Sequence, residues 1–425
     1  MTSLTPELEP DSETGSGWIV IALGSIAIGT AAIHGSGLVA AFGIALLAAA
    51  GAAYLALRIG ERGITVERVL PERTFEGDTV TARVVLRNTA RIPVFFPRAS
   101  EFFPPEIHAL KTAFFPYRVA PGESAEESYT ASIIAPRGIY RFGALRLQLS
   151  DPLGWFRTTK VVGGEAQLKV YPRFDRLGAR ERIGSSLALL SSRAARRGLG
   201  ESLEFLSVRE YRRGDPLRRI HWPLTAHRGY PVVREYTRNS TGDLCVFIDL
   251  YRYALLGLGR GSSLEHAVKI TAGLCAQALY RGYRAQVLAR GKTDFRVPSS
   301  GGKAHLGVIL DALILMRPDG EVPLDAYLEE ARREVRPGAV TLVMTSPYLR
   351  RSRSFETGLT AMRRSGGRVI LAIFDDSTFH SLYEPAARED PAARYARRMA
   401  GLGMETIIVP CAASLPALFG APEAA

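Results

Sequence analysis

Asp215, His221 and His227 bring a carboxylate and two imidazoles into one short stretch of this 425-residue chain. Folded together, such groups could pass a proton between them, which is the core of acid–base hydrolysis. Their neighbours argue for a quieter role. Asp215 follows Gly214 in what reads as a turn, and Arg212, Arg213, Arg218 and Arg219 are at hand to neutralise it. Arg213-Gly-Asp215 also spells an integrin-type tripeptide, which means nothing in a domain facing the cytoplasm. The chain has no Gly-x-Ser-x-Gly elbow, no His-Glu-x-x-His pair and no Gly-x-x-x-x-Gly-Lys-Ser/Thr phosphate loop, which removes the commonest hydrolase and nucleotide-binding signatures. A hydrolase built on Asp215 and His221 is the alternative to a structural reading. Cys245, Cys275 and Cys411 lie far apart, without metal-ligand spacing, each in an apolar run. They read as buried free thiols in a reducing compartment.

The residues around Asp215 form a longer pattern. Arg, Glu, Asp, Gly and Trp interleave from Gly198 to Glu235 with neither a helix period nor a strand period. Charges of both signs at this density form ion-pair and hydrogen-bond networks, because an ordered loop must satisfy its own polar groups. The pattern resembles the signature of the domain-of-unknown-function 58 family. The matching residues are Gly198, Gly200, Glu204, Phe205, Arg209, Tyr211, Gly214, Asp215, Arg218, Ile220, Trp222, Ala226, Arg234 and Glu235. One departure stands out: His227 follows Ala226 where the family has Arg, and Arg228 comes next. Asp151-Pro-Leu-Gly-Trp-Phe156 resembles a second motif of the same family. Trp222 is expected to be buried, and Asp215 to accept hydrogen bonds from amides or arginines.

The resemblance implies a von Willebrand factor A-like α/β domain after the signature. Such domains can hold a divalent metal through Asp-x-Ser-x-Ser, a distant Thr and a distant Asp, since hard cations require oxygen ligands. Here Asp249 is present, but Tyr251 and Tyr253 replace the serines, and Ser346 stands where the distal Asp would be. The loop expected to supply the Thr, Ser299 to Ala304, offers Lys303 instead. The metal site therefore reads as degenerate, with Thr345 and Ser346 as the remaining hydroxyl ligands. No cofactor is implied.

Trp18 to Leu57 sets the stage on which these residues act. The stretch contains no Asp, Glu, Lys or Arg. One helix of that length would be roughly 60 Å long, about twice the hydrocarbon thickness. Two spans, Trp18–Ile33 and Leu38–Leu57, joined at His34-Gly-Ser-Gly37, are expected instead. Gly24, Ser25, Gly29, Ala31 and Ala32 in the first span, and Ala40, Ala41, Gly43 and Ala45 in the second, would let the helices pack closely. Arg58, Arg62 and Arg68 follow the second span, so the positive-inside rule puts the bulk of the chain in the cytoplasm. A signal peptide is disfavoured, because there is no basic n-region and the apolar run is too long.

The expected fold is multi-domain. An acidic tail (1–17) leads into the transmembrane hairpin (18–57). A β-sandwich spacer (58–172) follows, then the signature segment (173–241) and a doubly wound α/β domain (242–425). Alternation of Val80, Ala82, Val84 and Leu86 with polar residues marks a strand with one buried face. Strands are also expected over Glu126–Ala135 and Ile139–Leu149. In the last part, Leu244–Ile248, Ala285–Ala289, Val340–Met344, Val369–Phe374 and Thr406–Val409 read as buried strands. Ser263–Tyr280 reads as a helix capped by Ser263, its apolar face formed by Leu264, Val268, Thr271, Cys275 and Ala278.

Hydrophobic residues make up 47% of the chain and charged residues 23%, and the net charge is +12. The composition is globular and the charge basic. Arg193-Ala-Ala-Arg-Arg197 could bind phosphate, but no stacking aromatics are interleaved, so a solvated loop is the better reading. Taken together, the residues point to a membrane-anchored, non-enzymatic scaffold or adaptor, and the family resemblance implies a bacterial inner-membrane setting and a role in cell-envelope or complex assembly. The family resemblance implies partnership with a MoxR-like AAA+ ATPase and with von Willebrand A-domain proteins. Binding of anionic lipid or nucleic acid through the basic surface is a further alternative, and nucleic acid is not the expected partner.

Overall fold

The computed structural model describes residues 16–106, 109–174, 204–211, 220–237, 243–347, 353–379, 391–411, 413 and 418. The chain divides into two compact units, Met1–Tyr171 and Pro172–Ala425.

The first unit opens with α1 (Gly17–His34) and α2 (Gly37–Arg62), both long and apolar enough to cross a membrane. At 1.5 Å per residue they are about 27 and 39 Å long. Gly35, with φ of 69°, closes α1 in the left-handed conformation that glycine adopts most readily. The buried residues of α1 are Gly17, Gly24 and Ala31, and those of α2 include Gly43, Ala50 and Leu57. Both sets recur every seven positions, so each helix turns one narrow seam inward. A Cβ on Gly43 would lie 2.8 Å from the Gly24 carbonyl oxygen, and the small residues are what permit this approach. Trp18, Ile19, Leu23, Leu38, Phe42 and Ile44 are exposed on the outside of the pair.

Eleven strands follow among the described residues of this unit. Strands β1 (Ile64–Val69), β3 (Thr79–Asn88) and β7 (Ser124–Ser132) form one sheet. A second sheet has the order β10 (Arg157–Val162), β9 (Leu145–Ser150), β4 (Val94–Phe103), β5 (Ala109–Phe114), with β6 (Arg118–Val119) paired to β4. Strands β2 (Arg73–Phe75), β11 (Ala166–Tyr171) and β8 (Gly138–Phe142) make the third. Along β3, Val80, Ala82, Val84 and Leu86 are buried, as their alternation requires. Val84 and Leu86 meet Ala99, Leu147 and Leu149 in one core, which also takes in Ala50, Ala53 and Leu57 of α2. Phe103, Phe142, Leu168 and Val170 form a second.

The single strand expected over Ile139–Leu149 is two strands in different sheets. β8 pairs with β11, and β9 pairs with β4 and β10. The break falls at Gly143, whose carbonyl accepts a 2.8 Å hydrogen bond from the Arg68 guanidinium, as does the Gly164 carbonyl. Arg68 is ion-paired to Glu101, with side chains 3% and 2% exposed. The Tyr129 hydroxyl donates to the other Glu101 oxygen. Burial, with the Glu101 charge second, holds the Tyr129 phenol far above its ordinary pKa. Arg68 thus lies in the interior and not among the surface charges that follow the helix pair.

The Asp151 motif is a hairpin turn between β9 and β10. One Asp151 oxygen accepts from the Phe156 amide at 2.6 Å and the other from the Leu153 amide at 2.9 Å. The turn also receives the helices: Trp155 O accepts from Gly17 N at 2.7 Å, and the Phe156 ring meets Tyr54 edge-on.

In the second unit, β12 (Glu204–Glu210) and β13 (Val232–Thr237) pair antiparallel, and α3 (Trp222–Arg228) lies between them in sequence. A six-stranded sheet follows. Its order is β16 (Asp294–Ser300), β15 (Arg284–Arg290), β14 (Asp243–Ile248), β17 (Val340–Thr345), β18 (Arg368–Phe374), β19 (Glu405–Val409). All neighbours are parallel except β16, which pairs antiparallel with β15. β16 escapes a sequence reading because its residues are mostly polar and half-exposed, as befits an edge.

Helices α4 (Ser263–Tyr280), α5 (Lys303–Leu313), α6 (Leu324–Ala331), α7 (Arg353–Arg364), α8 (Asp376–Phe379) and α9 (Pro391–Gly401) connect the strands. Leu328, Phe355, Leu359, Tyr395 and Met399 of α6, α7 and α9 share a core with Cys245, Phe247 and Leu371. Val246 and Ile248 alternate with those residues and point to the other face, and α4 packs against β14 and β15. Leu264, Val268, Thr271, Cys275 and Ala278 of α4 are all buried. The cap of α4 is Ser262, whose Oγ accepts from Glu265 N, and not Ser263, whose Oγ accepts from Leu256 N at 3.0 Å. Cys245 and Cys275 are buried free thiols, whereas Cys411 is half-exposed, contrary to the sequence reading.

Candidate functional site

In an open parallel sheet, ligands collect at the carboxyl ends of the strands, where successive connections leave in opposite directions. Here that crevice lies between β14, whose connection runs toward β15, and β17, whose connection runs toward β18. Asp249 follows β14 directly, and Thr345 ends β17. Asp249 Oδ2 accepts from Thr345 Oγ1 at 3.1 Å, and Oδ1 accepts from Tyr251 N at 3.0 Å. Burial, only partly offset by these two hydrogen bonds, pushes the Asp249 carboxyl from 3.8 up to about 7, and the charge of Asp325 adds to the rise. Ser346 is buried, and its Oγ has no hydrogen-bond partner among the described residues.

The third wall comes from a segment that sequence reading did not select. Gly320 N donates to Leu250 O at 2.9 Å, and Arg252 N donates to Gly320 O at 3.0 Å. A Cβ on Gly320 would sit 2.7 Å from Arg290 O, so only glycine lets the chain pass here. Asp325, in the first turn of α6, extends this wall and accepts from Ser354 Oγ at 3.1 Å. Its only sequence signal is an acidic residue in the first turn of a helix, which is common enough to be uninformative. The expected loop, Ser299 to Ala304, is at the opposite end of the sheet, since Ser300 pairs with Ala285 at the start of β15.

The oxygens gathered here are those of Asp249, Asp325, Thr345, Ser346 and Ser354. They are hard donors, of the chemistry that Mg²⁺ or Mn²⁺ uses. Both Asp249 oxygens are engaged internally, by Thr345 and Tyr251. Among the described residues no three His, Cys, Asp or Glu side chains group as a metal site would. Tyr251 and Tyr253 contact edge-on at 5.3 Å, and the Arg252 guanidinium lies over the Tyr253 ring. Arg252 also pairs with Glu321 at 3.3 Å. Tyr253 is 67% exposed, so this rim faces solvent.

The signature residues are only partly in view. Gly200, Gly214, Asp215 and Arg218 lie outside the described residues, as does the Arg193–Arg197 run. Glu204, Phe205 and Arg209 fall on β12, and Arg234 and Glu235 on β13, with Arg234 opposite Val208 and Glu235 opposite Ser207. Tyr211 N donates to Pro231 O, and Ile220 bridges to Val233. Trp222 corrects the sequence reading: it is 65% exposed on α3. A seven-residue helix carried on a hairpin has little surface to offer a large ring, and no residue of α3 is buried. His221 caps this helix, its Nδ1 accepting from Leu224 N at 3.2 Å. That bond occupies one ring nitrogen of the supposed general base.

No curated protein matches the chain. Among solved structures, the CARDB domain of a Pyrococcus furiosus protein is 16% identical, covering 25% of this chain and 94% of that one, with a TM-score of 0.19. Proximal thread matrix protein 1 of the mussel byssus is 13% identical over 32% of this chain and 37% of that one, with a TM-score of 0.26. Likenesses this weak carry no argument. The family model described as "Protein of unknown function DUF58" matches residues 207–377, so the segment from the signature hairpin through β18 is similar to that family.

Proposed function

We propose that this chain is a membrane-anchored, non-enzymatic scaffold or adaptor. In this reading α1 and α2 span the bacterial inner membrane, and the three-sheet unit is a β-sandwich spacer. The six-stranded unit is a von Willebrand A-like domain that presents its crevice rim to a protein partner in the cytoplasm. The observation that carries the reading is the state of Asp249. Its two oxygens are held by Thr345 and Tyr251, which suits a crevice serving as a binding rim rather than as a metal-dependent or hydrolytic centre. The exposed Tyr253, stacked by Arg252, supports it, since aromatic and guanidinium groups are enriched at protein interfaces. The exposed Trp222, close in sequence to Arg228 and Tyr230, has the composition of an interface hot spot. The apolar outer faces of α1 and α2 support the anchor. Arg58 and Arg62 at the end of α2 support a cytoplasmic orientation.

The expected partner is a MoxR-like AAA+ ATPase. The test is co-purification of such an ATPase with the detergent-solubilised full chain, with and without EDTA. Retention that survives EDTA and is lost in Arg252→Ala/Tyr253→Ala supports the reading. Failure to retain the ATPase removes the partner, and recovery of the untreated chain in the cytosolic fraction removes the anchor.

A further inference from the structure

A second constellation lies at the exit of β19, apart from the Asp249 crevice. Cys411 is fixed there: its backbone N–H donates to Thr378 Oγ1 at 2.9 Å, and Thr378 Oγ1 donates to Asp375 O at 2.8 Å. His266 stands in the first turn of α4, its ring edge-on to Phe379 with centroids 5.4 Å apart. Cys411 Sγ is 3.8 Å from His266 Nε2 and 3.6 Å from Gly261 O. The segments after β14, β18 and β19 therefore hold a thiol against an imidazole. Burial, with Lys269 second, lowers the His266 pKa from its ordinary value. Cys411 is half-exposed. Cys245 and Cys275 are buried, and burial raises both thiols, Cys275 to about 12.

We propose that Cys411 is the reactive thiol of this chain, that His266 is its base, and that the pair is a site of oxidation by small hydroperoxides. Other thiol chemistries fit less well. Acyl transfer needs amide donors aimed at a developing oxyanion, and the Cys411 N–H is already taken by Thr378. A metal would need a third ligand of the His, Cys, Asp or Glu class, and none groups here among the described residues. A hydroperoxide needs only a thiol, a base and access to solvent.

In the step, His266 Nε2 takes the Sγ proton and sulfur attacks the distal peroxide oxygen. The S–O bond forms as the O–O bond breaks, sulfur losing two electrons to the peroxide. The leaving alkoxide or hydroxide collects the proton from His266, and the products are a sulfenic acid and an alcohol or water. Cys245 and Cys275 are buried, so a small-molecule thiol is the expected reductant.

The test uses the detergent-solubilised full chain and a synthetic peptide of residues 406–413. Iodoacetamide is applied at pH 7, and hydrogen peroxide with dimedone is applied separately, each followed by peptide mapping. A base in place should speed alkylation of Cys411 roughly tenfold over the peptide. His266→Gln should return it to the peptide rate, while Cys245 and Cys275 stay unlabelled and report an intact fold. Dimedone should mark Cys411 in the wild type and mark it far less in His266→Gln. Equal rates for chain and peptide overturn the proposal, as does an unchanged rate in a folded His266→Gln. Fast alkylation without a dimedone adduct overturns the oxidation assignment. If His266→Gln exposes Cys245 and Cys275, the comparison of wild type with peptide decides.

Discussion

Asp249→Asn should make the six-stranded unit more stable than wild type, and by more at pH 8 than at pH 5. The sign follows from the carboxyl being pushed from 3.8 up to about 7, chiefly by burial. Below about pH 4 both folded and unfolded chains carry the proton. Between pH 4 and 7 the unfolded chain has released it and the folded chain has not, so stability falls as pH rises. Above about 7 both are ionised and the loss is complete. From pH 5 to 8 the loss amounts to roughly 2–3 kcal/mol at 1.36 kcal/mol per pKa step, less whatever solvent screens at this half-buried position. Asn removes the titrating group and keeps the geometry, since its oxygen can accept from Tyr251 N and its amide can donate to Thr345 Oγ1. Labelling of buried Cys245 and Cys275 across a urea series, with EDTA present, reads the unfolding of this unit. With m values of about 1–3 kcal/mol/M, the variant midpoint should lie above wild type at both pH values, by about 1–2 M more at pH 8 than at pH 5. Midpoints offset equally at both pH values, or an Asn variant weaker at pH 8, would refute the reasoning.

Three other outcomes are expected. Arg68→Met leaves Glu101 charged and buried, so the first unit should lose about 3–5 kcal/mol by Trp155 fluorescence in urea; Arg68→Met/Glu101→Leu should recover most of it, and a single variant as stable as wild type would count against a buried pair. Calorimetric titration with Mg²⁺ and Mn²⁺ should show no micromolar binding, and binding that Asp249→Ala abolishes would make the crevice a working metal site. Trp222→Ala should change stability by less than about 0.5 kcal/mol, as for an exposed side chain, while weakening partner retention; a drop of several kcal/mol would mean the ring is covered in the folded chain.

Where one physical effect dominates, the residues alone sufficed. The uncharged run from Trp18 to Leu57 can only be apolar helix or buried core, and its small residues allow a close seam. The alternation of Val80 to Leu86 fixed a strand and its inward face. The step from Leu264 to Ala278 did the same for α4, because burial of one face imposes the period of the element. Those are local facts, and neighbours in sequence carry them.

Tertiary structure decided what depends on residues far apart. Ile139–Leu149 looks like one strand, yet its halves join different sheets, and Arg68, distant in sequence, hydrogen-bonds at the Gly143 break between them. Trp222 reads as core by type, but α3 has no buried face to receive it. Asp249 was legible as a candidate, whereas the charge of Asp325 and the hydroxyl of Thr345 act on it only after parallel strands bring their carboxyl ends together. The same strand order sets Cys411 beside His266, 145 positions apart in sequence. Pattern records which face of an element is buried. The pKa of a carboxyl and the partner of a thiol are set by distance in space, and that is fixed only when the sheet closes its order.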